Sequence, residues 1–119
     1  MQTVKGYLVD PFDSSISEIE FGEYDLTTIK RAMQCDTLDV VRLPNDDILF
    51  IDDNGLLHNS NRYFSINGQI IAGRSIIATA TSDGGTISAS QPLDYYLRKI
   101  RWMPTGYKVE PYMEFIPLN

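Results

Sequence analysis

Residues 47–51 read DILFI, and both faces of that extended segment are apolar apart from its first residue. Successive side chains in a strand point to opposite faces, so a half-exposed strand alternates. This one has no wet face, so it belongs inside a sheet, paired on both edges. Acids bracket it: Asp46 and Asp47 before, Asp52 and Asp53 after. Carboxylates at two strand ends invite a cation. A calcium loop, however, needs oxygens at alternating positions, then glycine, then a distant glutamate. The run Asp52-Asp53-Asn54-Gly55 lacks that spacing. These acids read as turn residues and edge protection.

The rest of the chain is arranged around that strand. Residues 4–10 are rich in Val, Tyr and Leu and predict a first strand. Pro11-Phe12-Asp13-Ser14-Ser15 is turn chemistry. Residues 16–21 alternate, with Ile19 and Phe21 opposite Glu18 and Glu20, which makes a hairpin with one wet side. Asp25 is a good N-cap, and Leu26, Ile29 and Met33 then recur at helical spacing, predicting a helix over 26–35. Residues 38–43 form a third strand that stops at Pro44. Asp53-Asn54-Gly55 signals another hairpin, because Asn and Gly tolerate positive φ. Leu56-Leu57 opens the return strand, and Asn59-Ser60-Asn61 is a second polar loop.

The longest β signal is QIIAGRSIIATAT, residues 69–81. Gly73-Arg74 interrupts it as a bulge or a close backbone approach. Residues 82–85 turn, and 86–89 form a short return strand. Ser90 is a candidate cap for a second helix with Pro92 in its first turn and Leu93, Tyr96, Leu97 and Ile100 on one face. The expected fold is α+β: a mainly antiparallel twisted sheet of five to seven strands, one helix packed on a face, and a second, C-terminal helix. Residues 1–103 are expected to form one domain. Residues 104–119 are expected to be an extended tail, since Pro104, Pro111 and Pro117 exclude a helix there.

With 119 residues and 43% apolar composition the chain can bury a core. Its longest apolar run is far short of a membrane span, and no leader is visible at the N-terminus. Cys35 is the single cysteine, so no internal disulfide forms; a reducing cytoplasm is the expected setting. The net charge of −6 argues against tight binding to duplex DNA. That charge is uneven. Residues 1–60 hold 12 acids and 4 bases, whereas 61–119 hold 4 acids and 6 bases. Such a division suits a solvated acidic surface, head-to-tail association, or one anion-friendly face.

His58 and Cys35 each stand alone, and one of each makes no zinc constellation. There is no phosphate-binding glycine loop and no nucleophile elbow. No catalytic residue, metal ligand or cofactor is therefore assigned. The binding candidates are basic and amide side chains. Arg74 lies inside an apolar strand, where a charge is costly unless paired, so it meets either an internal acid or a ligand. Arg62 follows Asn59 and Asn61 and is expected near the same region. Guanidinium and amide groups together suit a planar base or a phosphate. In YYLRKIRW, Arg98, Lys99 and Arg101 fall at the end of the second helix, where the helix dipole favours cations. With Trp102 beside them they also suit stacking on a nucleotide.

VKGYLVDP at the start, then LDVVRLPNDDILFIDDNGLLHNSNRYF, then IIAG within IIAGRSIIAT carry a likeness. Over residues 5–80 the chain resembles an uncharacterised family of small proteins of unknown function encoded by phages, plasmids and mobile elements. The resemblance implies a cytoplasmic accessory protein of such an element and transfers no catalytic residue. The function expected is non-enzymatic binding in the host cell, of a host protein or of a small anionic, nucleotide-like ligand. Sequestering a nucleotide used in host defence is one version. The alternative is a small enzyme acting on a nucleotide through Arg74, Arg62 and His58. Tyr107, Tyr112, Met113 and Phe115 are too many large side chains for a solvated tail. They bury in the chain's own core or, as expected here, in a second subunit, giving a homo-oligomer.

Overall fold

A computed structural model describes residues 3–53, 62–81 and 85–104 of the chain. The expected turn at Asp53-Asn54-Gly55 beyond its first residue, the Leu56-Leu57 strand, the 59–61 loop and the tail beyond Pro104 lie outside the described residues. So does most of the expected turn at 82–85.

The elements in order are β1 (Thr3–Asp10), β2 (Ser15–Gly22), α1 (Leu26–Met33), β3 (Leu38–Arg42), β4 (Asp47–Asp52), β5 (Tyr63–Ile66), β6 (Gln69–Ala72), β7 (Ser75–Ala80), β8 (Thr86–Ile87), α2 (Leu93–Lys99) and β9 (Ile100–Trp102). The fold is α+β and its strand pairs are antiparallel. The larger sheet runs β2-β1-β7-β4-β3, with β8 also pairing β7; the smaller runs β6-β5-β9. As the DILFI pattern requires, β4 has a partner on each edge: Val40 opposes Phe50 on one side, and Ile77 opposes Leu49 on the other.

Both faces of the large sheet are covered. On one, α1 lays Ile29 and Met33 against Val4, Phe21, Ile48, Phe50, Ile76 and Ala78. On the other, the small sheet and α2 bring Phe64, Ile66, Ile71, Tyr96 and Ile100 against Tyr7, Val9, Leu49 and Ile77. Burying a large apolar side chain in such a layer contributes about 1.5–3 kcal/mol. Gly6 marks how tightly β1 meets β7. A Cβ there would stand 2.8 Å from the Ile77 carbonyl oxygen.

The second sheet departs from the single sheet expected. Residues 69–81 are not one interrupted strand. Gly73 adopts φ +76°, a conformation open to glycine, and the chain passes there from the small sheet to the large one. The β5–β6 hairpin turns at Asn67-Gly68, with φ +50° and +80°, the residue pair that a two-residue hairpin turn favours. Helix α1 starts where Asp25 predicts: the Thr28 N–H donates to Asp25 Oδ1 at 3.0 Å. It ends two residues earlier than expected, because Gln34 turns left-handed and the Cys35 N–H returns to the Lys30 carbonyl at 3.0 Å. Ser90 does not cap α2. Pro92 holds that position without a side-chain bond. No helix among the described residues is long and apolar enough to cross a membrane.

Candidate functional site

The basic residues expected near the end of the second helix lie there and face solvent. Arg98 and Lys99 end α2, Arg101 follows on β9, and all three are exposed. Arg98 Nη2 reaches the Asp94 carboxylate one turn earlier at 3.0 Å, an exposed pair of small energetic weight. Lys99 Nζ lies 5.4 Å from the centre of the Tyr95 ring. Trp102 is half-buried and sets its edge against Phe64, with ring centres 6.3 Å apart, so it anchors β9 to the core. The helix and the strand are continuous, which is why cations spaced along YYLRKIRW share this region.

Arg74 lies apart, at the β6–β7 crossing. Of the two environments open to it, the structure places it with an internal acid: its Nε donates to Asp10 Oδ2 at 3.2 Å. The Arg62 carbonyl accepts the Gly73 N–H at 3.1 Å, so Arg62 and Arg74 are brought together at least through their backbones. Arg62 is half-buried. Asn59, Asn61 and His58 lie outside the described residues.

One constellation escaped the sequence reading. Asp47 is not an exposed turn residue. It is fully buried at the head of β4. Its carboxylate accepts the Thr79 hydroxyl at 2.6 Å, the Ser90 N–H at 3.1 Å, and the hydroxyl of the equally buried Tyr96. Asn45 locks the approach, with Nδ2 donating to the Tyr96 oxygen at 3.2 Å and Oδ1 accepting the Asp47 N–H at 3.2 Å. Tyr7 stacks obliquely on Tyr96, with ring centres 5.6 Å apart, and donates to the Gln91 carbonyl at 2.9 Å. Burial, with Glu18 and Asp47 nearby, pushes the Tyr7 phenol above its ordinary value, so it holds its proton as a donor. The signal was present in the sequence. An acid that begins a strand with two buried faces lands inside.

Cys35 is half-buried; burial, followed by the charges of Asp52 and Asp36, raises its thiol pKa and makes it a poor nucleophile. Among the described residues no three acids, histidines or cysteines are grouped to hold a metal. A shallow cleft of about 380 Å³ lies between the β3–β4 turn and the β5–β6 hairpin, lined by Arg42, Leu43, Pro44, Asp46, Asn67 and Gln69. It contains none of the anticipated binding residues.

Residues 4–101 match the family described as a domain of unknown function, DUF3846. That match covers most of the chain, and it extends past residue 80 through α2 into β9, farther than the likeness read from the motifs. No curated protein and no solved structure matches the chain. The chain belongs to the DUF3846 family.

Proposed function

We propose that this DUF3846 protein is a non-enzymatic accessory binding protein of a phage or mobile element, acting in the host cytoplasm on a host protein or a small anionic ligand. The observation that supports the reading is the exposure of Arg98, Lys99 and Arg101, close in sequence, on a chain of net charge −6. The internal acids are already engaged: Asp47 by its hydroxyl and amide donors, Asp10 by Arg74. Arg101 and Lys99 face outward, and Arg98 can exchange its exposed bond to Asp94 for a partner of opposite charge. In this reading residues 1–103 are the binding domain, and the 104–119 tail joins copies into a homo-oligomer.

Native mass spectrometry of protein purified from its own host tests the proposal, followed by calorimetry with whatever co-purifies and with a nucleotide panel. The expected result is a ligand or partner returned chemically intact after denaturation. Its affinity should fall at least tenfold in an Arg98→Ala/Arg101→Ala variant and fall further with added salt. Unchanged affinity in that variant defeats the surface assignment. Conversion of any panel member would instead support the enzyme reading.

A further inference from the structure

Arg74 is held by Asp10 and Phe12, and neither of these contacts uses its Nη nitrogens. Its Nε donates to Asp10 Oδ2 at 3.2 Å. Asp10 is itself fixed, since its Oδ1 accepts the Phe12 N–H at 2.9 Å. The guanidinium carbon lies over the Phe12 ring, 4.6 Å from its centre. These contacts leave the Nη edge, which carries most of the N–H donors of the group. Among the described residues no hydrogen bond to either Nη is present. The Arg74 side chain keeps 22% of its exposure and Phe12 keeps 39%, so the cluster opens to solvent.

We propose that Asp10, Phe12 and Arg74 form a binding site for a small phosphomonoester that carries a planar ring. The Nη edge grips the phosphate with two prongs, and the outer face of Phe12 stacks on the ring. The site deepens the small-ligand branch of the function proposed above and rests on that reading for its class of ligand. Three physical points carry it. A guanidinium edge matches a phosphate in a way that a lysine ammonium cannot. A carboxylate that orients the donor beforehand lowers the ordering cost of binding. The Asp10–Arg74 pair has no net charge, so recognition here depends on directed hydrogen bonds more than on a long-range field. Binding at this site should therefore be less sensitive to salt than binding at the α2–β9 surface.

Calorimetry with adenosine 5′-monophosphate, adenosine and inorganic phosphate tests it. The expected result is that the monophosphate binds best. Arg74→Lys keeps a cation for Asp10 but loses the fork; it should weaken the monophosphate at least ~tenfold with little change in Tm. Phe12→Leu, at an exposed ring, should weaken the monophosphate and leave inorganic phosphate unchanged, which keeps the test valid should Arg74→Lys unfold. Equal binding by wild type and Arg74→Lys overturns the site, as does a wild type that binds none of the three probes. If Arg98→Ala/Arg101→Ala abolishes monophosphate binding while Arg74→Lys preserves it, the function proposed above stands and this site falls.

Discussion

Asp47 shows what a single residue can impose on this fold. A carboxyl group taken out of water is costly unless hydrogen bonds replace its hydration. Here the replacements come from three places in the chain: Thr79 on β7, Ser90 in the loop before α2, and Tyr96 on α2. The carboxylate therefore ties α2 to the large sheet and fixes which face of that helix points inward. Asp47→Ala strands these donors, each at about 1–3 kcal/mol, and should lower the unfolding free energy by roughly 3 kcal/mol or more. Urea unfolding of Asp47→Ala, Tyr96→Phe and the double variant measures the coupling. The second substitution should cost clearly less in the background of the first; strict additivity would refute the network. Acid pairs at strand ends are usually turn residues, and local sequence places Asp47 among them. Its neighbour Asp46 is such a residue, exposed and at φ +71°. One position separates the two: Asp46 is still in the turn, whereas Asp47 begins a strand that is buried on both faces.

At the scale of elements, the parts with strong local grammar were legible. Asp25 marks the start of α1, and the alternation of β2 places Glu18 and Glu20 outside. The Asp25 carboxyl is held below its usual range, first by the Thr28 hydroxyl at 2.5 Å and then by the Thr28 N–H. A carboxyl lowered in the folded state contributes stability above its unfolded value and loses it as pH falls through the folded value. The stability gap between wild type and Asp25→Ala should thus be constant above about pH 5 and shrink steadily in acid. Chemical unfolding at several pH values checks this, and a gap that widened in acid would contradict the capping role. Elements defined by non-local context were illegible. Strand β9 has three residues, and its first, Ile100, also completes the helical spacing of α2. Leu97, expected to face inward, is instead half exposed because only one side of this short helix meets the core. Strand β5 became a strand by pairing with β6 and β9, a fact that no local window contains.

For the whole molecule, the α+β class and the interior place of β4 followed from apolar patterning, whereas the division into two sheets did not. Patterning reports which residues are buried, not which layer buries them, and Ile71 and Ile77 look alike in sequence although they lie on different sheets. The candidate site divided in the same way. That the cations of α2 and β9 are exposed follows from their place at the end of a short helix. The Asp10–Arg74 pair, closed across the fold, could be expected only as an unnamed acid. The proposed homo-oligomer makes its own prediction at this scale. Removing residues 104–119 should leave a folded domain of smaller mass by light scattering. A full-length chain that is already monomeric at micromolar concentration rules the assembly out.

The position of β7 also bears on how the protein is made. Hairpin β1–β2 and hairpin β3–β4 are both complete early in the chain, yet each has its inner edge facing β7, which joins them. Both hairpins emerge from a ribosome before their common partner does. Until then two open β edges sit on one nascent chain, free to pair with each other or with a neighbouring chain. The hazard begins with the emergence of β4 and ends with the emergence of Ala80. A nascent chain halted before residue 75 should aggregate, whereas one released just beyond β7 has closed the centre of its larger sheet.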